Sequence, residues 1–182
     1  MTTDNSQASI LIIGAAQGIG QAIARTFAAD HYHVILADLS ESVYDTVQQI
    51  RADLPQASLA ALVLDATDLR AVEQLAENIN EFLPDTQQNL QHVVYSAGAG
   101  SGKFGFPFWN MHPDDWKRVF DVNLMGAVNV AHAFSEVLRA NLSVNSAKAV
   151  DSTLLFIASI AGQMGSQTDP PYSAAKAGLI NF

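Results

Sequence analysis

A chain of 182 residues that is 49% hydrophobic and only 15% charged has the composition of a globular domain with a substantial core, not of a disordered segment. Its formal net charge of −9 argues against a nucleic-acid surface, since phosphates call for a basic one. Without any cysteine it can hold no disulfide, thiolate nucleophile or zinc-thiolate centre, which suits a cytoplasmic protein.

The first nine residues, MTTDNSQAS, lack the basic and apolar regions of a signal peptide. No apolar run reaches the roughly 18 residues of a membrane span, so no membrane association is expected. Strand-like and helical stretches then alternate. SILII (9–13) reads as a buried strand, followed by a glycine-rich turn over 14–20 and a helix over 21–29. HVILAD (33–38) is a second strand, with a helix over 41–52. LAALVL (59–64) is a third, with a helix over 69–83, and HVVYSA (92–97) is a fourth. A loop covers 98–112. Pro113 opens a long helix to about residue 140, with Asp114 and Asp115 in the turn that favours carboxylates. TLLFIAS (153–159) is a fifth strand, and a last helix begins near Tyr172. The pattern predicts one α/β domain over 1–182, with a parallel sheet covered on both faces and ligands at the carboxyl ends of its strands.

Gly14, Gly18 and Gly20 stand between the first strand and the first helix. Glycine is needed there if the backbone is to approach a pyrophosphate at a helix N-terminus, although a plain tight turn would use the same residues. The spacing is G-x3-G-x-G, not the commoner G-x-G-x-x-G. Asp38 ends the second strand, where a carboxylate can take both ribose hydroxyls of NAD and repel the 2′-phosphate of NADP. Capping of a strand or turn is the plainer reading of that residue. AGAGSGKF (97–104) imitates the tail of a P-loop, but Ala97 and Phe104 replace the required glycine and Ser/Thr, so an NTPase is rejected.

Tyr172 and Lys176 lie four apart on the last helix, hence on one face. A free phenol titrates near 10, and a neighbouring cation favours the phenolate. Ser159 ends the fifth strand, thirteen residues before Tyr172. With GAAQGIG, SAG (96–98), DVNLMG (121–126), IASIAG (157–162) and YSAAK (172–176) in this order, the chain resembles the short-chain dehydrogenase/reductase family along essentially its whole length.

The resemblance implies a Rossmann-type doubly wound parallel sheet and an NAD-dependent oxidoreductase that interconverts a secondary alcohol and a ketone. It makes Tyr172 the general acid/base, Lys176 the cation that serves both the phenol and the nicotinamide ribose, and Ser159 a hydrogen-bonding group on the substrate oxygen. Asn123 would anchor a water relay to Lys176; the plain alternative is a satisfied core asparagine. Cofactor contacts would come from Gly14, Gln17, Gly18, Ile19 and Gly20, from Asp38, from Asp65 and Ala66 after the third strand, and from Ser96, Ala97 and Gly98 after the fourth. A solvated loop carboxylate is the plainer reading of Asp65. Two positions depart from the family. Ile13 replaces a threonine before the first glycine, and Tyr95-Ser96 replaces an Asn-Asn pair, so an apolar contact is expected where the family has a polar tie.

The family generally continues past the tyrosine–lysine helix with two further strands and a loop over the substrate. The last helix here carries no stop signal, so 1–182 is expected to be part of a longer chain, its fifth strand a bare apolar edge. No acid–histidine spacing suggests a metal site, and His31 and His33 read as surface residues. The aromatics of KFGFPFWNM (103–111) read either as core under a loop or as a substrate wall, with Met164 and 168–172 opposite. Trp116, Val119, Phe120, Met125, Val128, Phe134 and Val137 wrap more than one helix face, which suits a homodimer or homotetramer as well as a monomer core. Two other functions compete with the leading one: an NADPH-preferring carbonyl reductase, disfavoured by Asp38 and the uncharged Gln17, and a nucleotide-binding protein without turnover.

Overall fold

The computed structural model describes residues 8–84, 89–103, 109, 111–143, 151–166 and 168–182, with the backbone alone over 141–143. The five apolar runs form five parallel strands: β1 Ser9–Ile13, β2 His33–Asp38, β3 Leu59–Val63, β4 Leu90–Tyr95 and β5 Thr153–Phe156. They make one sheet in the order β3-β2-β1-β4-β5. The order reverses at β1, and a crevice opens at such a switch point, outside the strands' carboxyl ends. Register brings those ends level, with Ile13 opposite both Ala37 and Tyr95, and Tyr95 opposite Phe156.

Helices cover both faces, as a Rossmann-type doubly wound sheet requires. Side chains alternate along a strand, so each face collects every second residue. Ile10, Ile12, Val34 and Leu36 pack against Ala24 and Ala28 of α1 (Gly18–Ala29) and Val47 and Ile50 of α2 (Val43–Asp53). Leu11, Ile13 and Ile35 pack against Val72 and Leu75 of α3 (Leu69–Glu77) and Val130 and Phe134 of α5 (Gly126–Ser143). Each buried Val, Leu, Ile or Phe among them contributes about 1.5–3 kcal/mol relative to leaving it exposed.

Element boundaries moved at several ends. β4 spans Leu90–Tyr95 where 92–97 was expected, and β5 stops at Phe156, short of Ser159. Burial alone marked those runs; pairing ends earlier because the backbone beyond turns into loops that line the crevice. α1 starts at Gly18 and so contains two of the three glycines. α3 ends at Glu77, and a separate 3-10 turn covers Ile79–Phe82. The last helix, α6 (Pro170–Asn181), starts at two prolines, whose missing N–H groups a first turn does not need.

The long helix opening at Pro113 is three pieces: α4 (Pro113–Phe120), a π turn over Asp121–Met125, and α5. His112 caps it, its ring accepting from Asp114 N–H at 3.3 Å while the Asp115 carboxylate accepts from His112 N–H at 2.8 Å. Val119 and Phe134 are fully buried, Trp116, Phe120, Val128 and Val137 are half-buried, and Met125 is exposed. β5 lies at one edge of the sheet with Leu155 exposed. Among the described residues no helix is long and apolar enough to cross a membrane.

His33 corrects the sequence reading. It is only 5% exposed, with Nδ1 2.7 Å from Ser58 Oγ and Nε2 2.7 Å from the Phe82 carbonyl. The 3-10 turn folds over the start of β2, which the strand's own residues did not announce. Nε2 must donate to the carbonyl, so the neutral ring accepts from the serine. Burial pushes the imidazole below its ordinary value, outweighing the hydrogen bond to the Phe82 carbonyl, which acts the other way. A depressed value means that His33 contributes stability above the unfolded value near 6.5, and that this contribution is lost as pH falls below it. Melting temperature should therefore drop between pH 7 and 5 more steeply in the unmodified protein than in His33→Gln. Parallel melting curves for the two proteins would remove His33 from the acid response.

Candidate active site

The turn after β1 is held from inside. Gly14 and Ala15 donate their N–H groups to the Ala37 carbonyl at 2.8 and 3.1 Å. Gly14 has φ +88°, and a Cβ on it would fall 2.5 Å from Ala97 N. A Cβ on Gly20 would lie 2.0 Å from the Gly14 carbonyl oxygen, so these two glycines serve close packing of strand, turn and helix. Gly18 differs: its φ is +59°, yet a Cβ there would meet nothing within 4 Å. At α1 the N-cap Gln17 makes no side-chain cap, and no acidic residue occupies the first turn. The positive end of the helix is thus left for an anion.

Asp38 leans back over this turn. Its Oδ2 accepts from Ala16 N–H at 2.9 Å and its Oδ1 from Ser40 N–H at 3.0 Å. Each carboxylate oxygen keeps a further acceptor position. Asp65 accepts from the Thr67 N–H and hydroxyl at 2.9 and 2.7 Å.

A cleft of about 1060 Å³ runs along the carboxyl ends of the strands. It is walled at one end by Gly14, Gln17, Gly18, Ile19, Asp38, Asp65 and Ala66, in the middle by Ser96, Ala97 and Gly98, and at the other end by Ser159, Tyr172 and Lys176. Two expected site residues do not line it. Gly20 is buried against the Gly14 carbonyl, as its spacing in the turn could not reveal. Asn123 is fully buried in the π turn, its Nδ2 donating to the Ala99 and Val119 carbonyls at 2.6 and 2.9 Å.

At the far end, Lys176 is 3% exposed and donates from Nζ to the Ile157 carbonyl at 2.7 Å. Nζ also lies 5.8 Å from the centre of the Tyr172 ring. Burial pushes its ammonium below the usual lysine value. Ser159 Oγ accepts from Ala161 N–H at 3.2 Å, which leaves the hydroxyl hydrogen free to donate. Half-buried Tyr172 sits in the first turn of α6, next to these groups in the cleft wall.

The sequence reading did not single out Leu39 or Arg118, which also line the cleft, and it named Asp169 only within the stretch 168–172. Leu39, 68% exposed, follows Asp38 and offers an apolar surface at the cleft mouth. Arg118 donates to the Gly100 and Ser101 carbonyls at 2.8 and 3.1 Å. Asp169 accepts from Ser101 N–H at 2.9 Å, so the loop after β4 is held from both sides. That last contact joins residues 68 apart, and no local pattern encodes it. The aromatic stretch was legible only in part. Residues 104–108 and 110 lie outside the described residues, while Trp109 is 72% exposed and Met111 is buried. Thr168 joins the cleft wall and Met164 does not. In the P-loop-like stretch the Lys103 ammonium is 2.6 Å from Asp115 and so is already paired.

The arrangement fits a dinucleotide: an open helix terminus beside Gly18, a carboxylate at the end of β2, and a tyrosine–lysine pair at the opposite end. Residues 8–182 match the short chain dehydrogenase family. The chain belongs to that family. It is 30% identical over 172 residues to the 3-oxoacyl-acyl-carrier-protein reductase FabG of Salmonella typhimurium, covering 94% of this chain and 63% of that protein. It is 27% identical to sorbitol-6-phosphate 2-dehydrogenase of Escherichia coli, over 94% and 61% of the two chains. A short-chain dehydrogenase/reductase of Burkholderia phymatum, solved in complex with NAD, superposes with a TM-score of 0.82 at 26% identity, over 98% and 58%. The chain therefore spans somewhat under two thirds of the length of each of these three relatives.

Against the short-chain dehydrogenase pattern, the two departures resolve differently. Ile13 and Tyr95 share one buried apolar cluster, as expected for an apolar replacement. The link from turn to β4 is made by main chain, Ser96 N–H donating to the Ile13 carbonyl at 2.8 Å. Tyr95 adds a polar bond elsewhere, donating its hydroxyl to the Val122 carbonyl at 2.6 Å.

Proposed function

We propose that the cleft binds NAD(H) and that the protein interconverts a secondary alcohol and a ketone. The observation that carries this reading is the meeting of Ser159, Tyr172 and Lys176 in the same cleft as the glycine turn and Asp38. When bound, the nicotinamide supplies the hydride acceptor or donor. Tyr172 takes the hydroxyl proton as the alcohol is oxidised and returns it to the oxygen in the reverse direction. The Ser159 hydroxyl donates to that oxygen and fixes its position. Lys176, held against Ile157 with its ammonium 5.8 Å from the Tyr172 ring, offers its remaining N–H donors to a ribose.

Asp38 supports NAD over NADP. It stands at the end of β2 with acceptor capacity to spare, and a 2′-phosphate there would meet a like charge. The cationic residues of the cleft wall, Arg118 and Lys176, are tied to the loops after β4 and β5, away from β2. NADH is expected to bind about tenfold or more tighter than NADPH. Asp38→Asn keeps an acceptor for Ala16 N–H but removes the charge, and should narrow that gap. Fluorescence titrations of both cofactors, followed by assays over a panel of alcohols and ketones, test the reading. Equal affinities for the two cofactors would overturn the preference; absence of any turnover with NADH bound would overturn the reaction.

A further inference from the structure

We propose that Tyr95 is a positioning residue, its hydroxyl holding the π turn that presents Asn123 to Lys176. The inference rests on the reading of Tyr172 and Lys176 as the proton-transfer pair. In a continuous α-helix, Gly126 N–H would donate to the Val122 carbonyl four residues back. Here it donates to the Asp121 carbonyl, five residues back. The carbonyl so deprived is the one that accepts the Tyr95 hydroxyl, at 2.6 Å. A side chain from the sheet thus takes the place of a helical N–H.

The fit is close on every side. Tyr95 ends β4 and is 1% exposed. Burial, with the charge of Asp65 adding to it, drives its phenol well above the ordinary value, so it stays a donor. A Cβ on Gly126 would fall 2.1 Å from the Tyr95 hydroxyl oxygen and 3.0 Å from Cζ. Glycine at 126 and tyrosine at 95 are therefore matched to each other. The family's asparagine at position 95 has a shorter side chain, so this contact is one the resemblance did not anticipate.

Asn123 lies inside the turn, and its Oδ1 is buried without a partner. That oxygen lies 3.0 Å, and Lys176 Nζ 3.8 Å, from the point a Cβ on Gly98 would occupy. The amide oxygen and the ammonium thus converge over one glycine at the floor of the cleft. Relaxing the turn to α-helix would return Gly126 N–H to Val122 and rotate the following residues by about 100° relative to the preceding ones. Asn123 cannot keep both its bond to Ala99 and its place by Lys176 through such a change.

Tyr95→Phe removes the hydroxyl and keeps the ring. NADH affinity should stay within about twofold and the KM for ketone should change little, while kcat falls about 10- to 100-fold. The pH dependence of kcat should shift as well, since the groups beside Lys176 have moved; loss of stability alone would not shift it. In the amide spectrum, the Gly126 N–H should move on Tyr95→Phe. Gly126→Ala crowds the hydroxyl and should lower kcat in the unmodified protein more than in the Tyr95→Phe background. An unchanged kcat, pH profile and Gly126 amide in Tyr95→Phe would overturn the assignment and leave the oxidoreductase reading intact. Should the unmodified protein turn over no ketone, that reading fails separately, and an unmoved Gly126 amide alone would still overturn the role of Tyr95 in the turn.

Discussion

Tyr172→Phe is expected to lower turnover by about 10³-fold while NADH binding stays nearly unchanged. The half-buried ring keeps its place in the first turn of α6, and only the group that exchanges a proton with substrate is lost. Among the described residues the glycine turn stands at the opposite end of the cleft from Tyr172, so the cofactor's adenine half should not sense the change. Single-turnover assays with NADH and a reducible ketone measure the first effect, and fluorescence titration measures the second. Retention of more than about a tenth of the rate would exclude Tyr172 as the acid/base.

Lys176→Met should separate activity from stability in opposite directions. Lys176 is almost fully buried, and its ammonium makes a hydrogen bond to one carbonyl with no carboxylate paired to it among the described residues. Its value in the fold is pushed below that of a free lysine by burial. A depressed value means that keeping the charge at neutral pH opposes folding, and that the fold regains stability as pH rises toward the unfolded value. Methionine fills the same stem volume without the charge. Its melting temperature should equal or exceed that of the unmodified protein, while turnover falls about 10²- to 10³-fold and NADH affinity about tenfold. Alanine would lower the same two functions but leave a cavity that confuses the melting result. A methionine variant that loses stability along with activity would make Lys176 a structural lysine.

The sheet was legible because its strands are buried on both faces, and continuous apolar runs such as SILII and HVILAD have few other uses. The glycine turn, Asp38 and the Tyr172–Lys176 pair were legible because each depends on spacing along one stretch of chain. Ser159 was found through its distance from Tyr172, although the strand thought to carry it ends three residues sooner. What escaped depends on contacts between distant segments. Asp169 meets Ser101 across 68 residues, and His33 is covered by a turn 49 residues on. The π turn has no local signature; the contact proposed to hold it joins a strand residue, Tyr95, to a helix carbonyl 27 residues on. Gly20 shows the converse limit, a motif residue whose task is packing although its neighbours face the cleft.

Gly18 and Gly20 stand two residues apart in one motif, yet they answer to different pressures. At Gly20 any side chain collides with the Gly14 carbonyl, so the damage falls on folding and the cell holds less protein. At Gly18 a side chain has room but lines the cleft, where it strains the turn and, on the proposed reading, would block an incoming pyrophosphate while the core stays whole. One substitution is a lesion of abundance and the other a lesion of affinity. A screen that scores only catalytic output would record the two as the same allele class, whereas immunoblots of the variants would sort them apart.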